Sequence, residues 1–270
     1  MSDLEIVSGI AKEAGELLQT YQKKLSNLKI SSKTASRDLV TDADFESEKL
    51  IISLLKEKFP DSSCWSEETF SEEQGGDVVW CIDPLDGTVN FVQSLPFYAV
   101  SIARIRKGVI DLGVVYVPEL DWLFSASSDV PSSFNAEPIT VSSTSNLKDA
   151  VLATGFPYRR HLLVDNNLEN FNRLFLKQRG IRRMGAAAID LCLVSCGRLD
   201  AFWELHLSPW DVAAGGYIVK RAGGVVDTIS PGGDWLRDKN ILCGPLALVE
   251  ELREELLRER SRDYPDVGYV

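Results

Sequence analysis

Two carboxylates stand three positions apart at the end of an apolar run in Trp80-Cys81-Ile82-Asp83-Pro84-Leu85-Asp86-Gly87-Thr88-Val89-Asn90-Phe91. Pro84 forces Asp83 into an extended conformation and is expected to end a strand ladder there. Gly87 permits a tight turn with unusual backbone angles. Two carboxylates pressed together in a turn repel each other unless a cation sits between them. A hard divalent cation suits the task, since Mg²⁺ takes one or two carboxylates together with waters and phosphate oxygens. The plainer reading is an Asp-rich surface turn, because Asp, Pro and Gly are ordinary turn formers.

Four further segments carry chemistry-bearing residues. Trp65-Ser66-Glu67-Glu68 lies in a charge-rich stretch with Glu72 and Glu73, where a solvated face is the plainer reading. Asp38-Leu39-Val40-Thr41-Asp42-Ala43-Asp44 reads as a helix start, with Thr41 or Asp42 as the cap. Ser208-Pro209-Trp210-Asp211 combines an N-cap, a first-position proline and a first-turn acid, which the helix dipole favours. In Arg183-Met184-Gly185-Ala186-Ala187-Ala188 a glycine opens a small-residue helix whose first amides are suited to an anion.

Elements must position these residues. Apolar residues at helical spacing predict helices over 3–25, 41–58, 166–178, 186–196, 208–222 and 245–260. Strand signals cover 78–82, 98–105, 109–117, 120–126, 150–154, 181–184, 199–204, 225–228 and 241–243, and Lys107-Gly108 reads as a hairpin turn. Residues 127–137 read as a loop. The order predicts a layered α/β protein of α+β sandwich type. Its halves are expected at 1–145 and 146–270, joined as one functional unit.

The bulk numbers restrict the partners. The chain has 270 residues, enough for a large core, and a net charge of −11. That acidic balance argues against direct nucleic-acid binding, which needs Lys and Arg on phosphates. A small anionic substrate remains compatible, because bound metal ions invert the local sign. The five cysteines form no zinc or disulfide pattern and read as reduced thiols of a cytoplasmic protein. The N-terminus has no secretory signal pattern, and no apolar run is long enough to span a membrane. With two histidines, His161 and His206, a multi-histidine metal site is poorly supplied.

Together these segments resemble the inositol monophosphatase family of Mg²⁺-dependent, lithium-sensitive sugar phosphatases. Asp83 to Phe91 is similar to its first signature, and Trp210-Asp211-Val212-Ala213-Ala214-Gly215 through Ala222-Gly223-Gly224 to its second. Asp38 to Thr41 with Asp44, and the Glu67-Glu68 pair, occur in the family's order. The resemblance implies the αβαβα fold shared with fructose-1,6-bisphosphatase. It implies hydrolysis of a small polyol or sugar phosphate, inositol 1-phosphate first, by in-line attack of a cation-activated water. One Mg²⁺ would be held by Glu67, Asp83 and the Leu85 carbonyl, and a second by Asp83, Asp86 and Asp211. A weaker third would lean on Glu67, and Li⁺ would inhibit.

By the same resemblance Thr88, held by Asp44, would orient the water, with Glu67 also catalytic. The backbone amides at Gly87 and Thr88 would catch the phosphate, Gly185, Ala186, Ala187 and Glu204 would read the alcohol, and Asp86 and Asp211 would also belong to the substrate site. Lys33 matches a basic residue on a loop near the metals. A homodimer is expected by family analogy alone. Ser66 and Ala186 depart from the family, which often has glycine and a hydroxyl residue there. Other substrates stay open, among them fructose 1,6-bisphosphate, histidinol phosphate, NADP and 3′-phosphoadenosine 5′-phosphate, as does a non-catalytic regulatory role. A second phosphate would call on Arg159, Arg160, Arg179, Arg182 or Arg183, for which a solvated face is the plainer reading.

Overall fold

The computed structural model describes residues 1–25, 30–32, 39–70, 72–73 and 75–258. Lys33 and Asp38, singled out from the sequence, lie outside them. Helix α1 (Asp3–Gln22) opens on a capping box: the Glu5 amide donates to Ser2 Oγ at 3.3 Å, and the Ser2 amide to Glu5 Oε2 at 2.7 Å. A short antiparallel pair, β1 (Ile30–Ser32) and β2 (Leu39–Thr41), leads into α2 (Asp42–Lys58).

A seven-stranded sheet follows in chain order: β3 (Ser63–Ser66), β4 (Val78–Asp86), β5 (Ala99–Arg106), β6 (Val109–Val117), β7 (Trp122–Ser127), β8 (Ser133–Phe134) and β9 (Glu137–Pro138). Strands β3 and β4 run parallel, and the other neighbours antiparallel. The short helix α3 (Thr88–Val92) separates β4 from β5. The hairpin at Lys107-Gly108 is present, both residues having the positive φ (50° and 80°) that a primed turn requires.

The second sheet has the order β11-β10-β12-β14-β13. Its strands are β10 (Val151–Thr154), β11 (Gly180–Arg182), β12 (Ala201–Leu205), β13 (Val225–Asp227) and β14 (Asn240–Gly244). Helices α4 (Leu168–Leu174), α5 (Ala187–Ser195), α6 (Pro209–Arg221) and α7 (Leu246–Leu257) complete the described chain.

Alternation along the strands assigns the layers. Trp80, Ile82, Ile102 and Val114 point to one face of the first sheet and pack with Val7, Leu18, Ile51 and Leu55 of α1 and α2. Cys81, Ala103 and Val115 point to the other face, onto Leu191 of α5 and Ile218 of α6. That same cluster includes Phe202 and Cys243 from the second sheet. The opposite face of the second sheet, with Leu152, Trp203 and Leu242, packs on Leu248 and Leu252 of α7. The sequence of layers is therefore αβαβα.

Three expectations need correction. Pro84 does not end the ladder: β4 continues to Asp86, pairing Asp86 with Ala99 after a register shift between Asp83 and Asp86. A bulge absorbs the missing donor, and Ser47 Oγ donates to the Pro84 carbonyl at 3.0 Å from α2. Residues 127–137 are not wholly a loop, since β8 lies within them and β9 begins at their end. Helix α4 covers only Leu168–Leu174 of the expected 166–178, because Asn167 adopts a left-handed φ of 72° and is used as a buried hydrogen-bond hub.

Candidate active site

The bulge at the end of β4, the start of α5, the end of β12 and the first turn of α6 converge on one cavity of about 330 Å³. Glu67, Asp83, Asp86 and Asp211 line it, with Leu85, Gly87 and Thr88. Gly185, Ala186, Ala187 and Glu204 also contribute to its walls. The structure thus brings together the carboxylates separated by up to 144 positions between Glu67 and Asp211 (211 − 67).

Local hydrogen bonds fix each acid. The Leu85 amide donates to Asp83 Oδ1 at 3.0 Å, an Asx-type contact that the bulge permits. The Ala188 amide, in the first turn of α5, donates to Asp86 Oδ2 at 2.7 Å. The Ser208 amide donates to Asp211 Oδ2 at 2.6 Å, so Asp211 helps cap α6 and faces the cavity. The first-turn role expected for Asp211 is thus present, and its side chain is at the cavity. Gly87 is required where it stands: its φ is 89°, and a Cβ there would lie 2.8 Å from the Phe97 carbonyl oxygen.

Asp44 is not in the cavity wall but is bonded to a residue that is. Its Oδ2 accepts the Thr41 amide at 2.8 Å and the Thr41 hydroxyl at 2.7 Å, which caps α2. Its Oδ1 lies 3.2 Å from Thr88 Oγ1, which also lies 3.2 Å from the Leu85 carbonyl oxygen. The Thr88 proton thus points at one of two acceptors, and the hydroxyl's lone pairs are turned elsewhere.

Crowded acids repel. Burial, then the charges of Glu67, Asp86 and Asp211, push the Asp83 carboxyl well above the usual range. Burial, then the charges of Glu67, Asp86 and Glu204, raise Asp211. Asp86 is pushed up to about 7, burial outweighing the Ala187 and Ala188 amides. Burial likewise raises Glu204 to about 8, against the opposing charge of Arg183. A cation among these groups would remove the repulsion that raises them.

The donor chemistry fits Mg²⁺: hard carboxylate oxygens with a nearby carbonyl, beside a cavity roomy enough for water and phosphate. Among the described residues no three His, Cys, Asp or Glu side chains form a closed chelating group. An ion entering here would have to draw the acids closer, with waters and phosphate oxygens completing its shell.

Sequence reasoning missed part of the wall. Asp190, Tyr158 and Phe156, which it did not single out, line the cavity, and so does His206. Asp190 is buried with Oδ1 lacking a hydrogen-bond partner. Its position in an apolar helix gave no signal beyond its being the charged residue there. His206 holds a left-handed φ of 63°, and its Nε2 lies 2.7 Å from the Asp165 carbonyl oxygen. Of the five arginines weighed for a second phosphate, Arg183 lines the cavity. Arg179 pairs with Asp149 at 3.2 Å on the surface, and Arg182 bonds the adjacent Ile181 carbonyl.

Comparison with known proteins bears on this geometry. The family model of the inositol monophosphatase family matches residues 2–263. The chain is 41% identical to "Inositol-1-monophosphatase" of Synechocystis over 224 residues, covering 83% of this chain and 77% of that one. It is 39% identical to "Nus factor SuhB" of Pseudomonas aeruginosa over 246 residues, covering 89% and 90%. Among solved structures, extragenic suppressor protein suhB from Bartonella henselae superposes with a TM-score of 0.86 at 36% identity, covering 94% and 98%. The family match over nearly the whole chain agrees with the αβαβα layers and the acidic cavity between them. This chain belongs to the inositol monophosphatase family.

Proposed function

We propose that the protein is a Mg²⁺-dependent phosphomonoesterase for a small polyol or sugar phosphate, with inositol 1-phosphate the first substrate to try. The observation that carries this reading is the convergence of Glu67, Asp83, Asp86 and Asp211 on one cavity that also holds Thr88. Family membership supports it. Glu67, Asp83 and the Leu85 carbonyl would hold one ion, and Asp83, Asp86 and Asp211 a second. Bound there, Mg²⁺ supplies charge neutralisation at the phosphoryl oxygens and lowers the pKa of the attacking water.

The protein's own residues supply the geometry. Thr88 Oγ1 donates its proton to Asp44 or the Leu85 carbonyl, so its lone pair accepts a hydrogen bond from water and aims that water in line. Asp44 keeps this orientation because Thr41 and the start of α2 lock its second oxygen. Backbone amides at Gly87 and Thr88 meet the phosphate. Across the cavity, Glu204 accepts hydrogen bonds from polyol hydroxyls, beside Gly185, Ala186 and Ala187. Water adds to phosphorus, the ester P–O bond breaks, and the alcohol leaves with one proton. The halves 1–145 and 146–270 work as one unit in this reading, since the second supplies Asp211 and Glu204.

A second reading, a partner in transcription complexes, draws on relatives named Nus factor. The acidic net charge disfavours direct contact with RNA phosphates and leaves protein partners as the route. One experiment separates substrates and readings: phosphate release from a panel of monophosphates and bisphosphates at fixed Mg²⁺. Selective turnover of polyol monophosphates supports the first reading. No turnover of any of them, with no Mg²⁺-dependent thermal shift, rejects it.

A further inference from the structure

Arg237 lies far from Glu67 in sequence and touches the chain on either side of it. Its guanidinium forks onto Glu73, with Nη2 at 3.0 and 3.1 Å and Nε at 3.3 Å from the carboxylate oxygens. The same group lies 5.9 Å from the centroid of the Trp65 ring. Trp65 precedes Glu67 by two positions on β3, and Glu73 follows it by six. One planar cation thus grips the chain on both sides of Glu67.

The other end of this link is anchored in the second half. Arg237 Nη1 donates to Asp234 at 2.9 Å. The turn 234–238 is closed by its own bonds: the Asp238 and Arg237 amides donate to the Asp234 carbonyl, and the Asp234 amide to Asp238 Oδ2. Leu236 sinks into the core, 5% exposed. The Trp235 ring lies flush on Gly216 of α6, where a Cβ would come within 2.6 Å of it. Helix α6 carries Asp211 in its first turn. A chain of packed contacts therefore runs from Asp211 and its helix, through Trp235 and Arg237, to Trp65, Glu73 and Glu67.

The Arg237–Glu73 pair is a poor candidate for a stability element. Its side chains are 39% and 35% exposed, and ion pairs at such sites contribute about 0–1 kcal/mol. What its geometry supplies is orientation. A bidentate fork with a ring against it fixes both direction and distance, which a lysine's point charge does not.

We propose that Arg237 is a positioning residue for the cation site, setting Glu67 at the distance from Asp211 that bound divalent ions require. The proposal rests on the reading of Glu67 as a cation ligand. Groups bonded directly to metal ligands alter metal affinity by about 10–100-fold when removed, and Arg237 acts one contact further out, through Trp65 and Glu73. Arg237 does not line the cavity, so substrate recognition is left alone.

The test is Mn²⁺ binding by titration calorimetry on the full chain, without substrate, alongside thermal melting. Wild type, Arg237→Ala, Arg237→Lys, Glu73→Gln and Asp86→Asn are compared. Arg237→Ala should bind Mn²⁺ about tenfold more weakly, the low end for an outer partner, with its metal-free melting temperature nearly unchanged. Glu73→Gln should weaken binding in the same direction, and Arg237→Lys should not restore it. Wild-type affinity in both Arg237→Ala and Glu73→Gln overturns the proposal. If Arg237→Ala does not fold, Glu73→Gln decides alone. Binding that is absent in wild type, or unchanged in Asp86→Asn, instead overturns the reading of the acids as cation ligands, and this proposal with it.

Discussion

Gly155 follows β10 and lies directly under the Glu204 carboxylate. A Cβ at this position would fall inside contact distance of both Glu204 carboxylate oxygens and the carbon between them. The Gly155 φ lies outside the left-handed region, so alanine meets no backbone strain there. The atoms in the way are the far end of a flexible side chain, so Gly155→Ala should move Glu204 and leave the fold intact. Burial favours the neutral Glu204 carboxyl, so its carbonyl oxygen accepts an ordinary hydrogen bond, which contributes about 0.5–1.5 kcal/mol. At 1.4 kcal/mol per factor of ten, losing it lowers kcat/KM by about 2–10-fold. The assay compares inositol 1-phosphate with phenyl phosphate, which has no ring hydroxyls, at the same Mg²⁺ concentration. The loss should appear with the polyol and be nearly absent with the phenyl ester. Equal losses with both, or none with the polyol, would refute the role of Glu204 as a hydroxyl acceptor.

Three further outcomes follow from the same geometry. Thr88→Val removes the hydroxyl between Asp44 and Leu85 and should lower kcat by at least about 100-fold, while Thr88→Ser retains most activity, both read at saturating substrate. Arg104→Ala breaks a buried fork onto Asp111 (2.7 and 3.1 Å) and the contact to Asp3 (2.5 Å). Arg106 stays 3.3 Å from Asp111, so the cost falls in the lower part of the range for broken buried pairs, about 3 kcal/mol. Thermal melting should show a drop of about 6–12 °C with Mg²⁺ turnover kinetics at low temperature unchanged. Li⁺ in the millimolar range should inhibit phosphate release; an enzyme indifferent to Li⁺ would place its second cation site outside the family pattern.

Local rules singled out several acids, and the family resemblance, not those rules, joined them into one candidate site. Asp83 and Asp86 stand out as two acids against a proline and a glycine, a combination that packing does not explain. Asp211 was visible through the Ser-Pro start of its helix. Pro84 misled because a proline's missing donor suggests a strand end, whereas a bulge and the Ser47 hydroxyl from another helix accommodate it. Asp190 stayed hidden because its meaning is tertiary: it is an acid on an all-buried helix. The layers were readable from periodicity, but β8 and β9 were too short and polar to announce themselves.

The central claim is that the acidic wall of the cavity takes divalent cations and that those cations carry phosphate release. Asp86→Asn tests it most directly. The substitution preserves shape and an oxygen acceptor for the Ala188 amide, and removes the charge at the centre of the wall. The measurement is Mg²⁺-dependent release of phosphate from inositol 1-phosphate, with circular dichroism to verify folding. The account predicts a folded protein with nearly all turnover lost. Turnover at the wild-type rate in folded Asp86→Asn would contradict it.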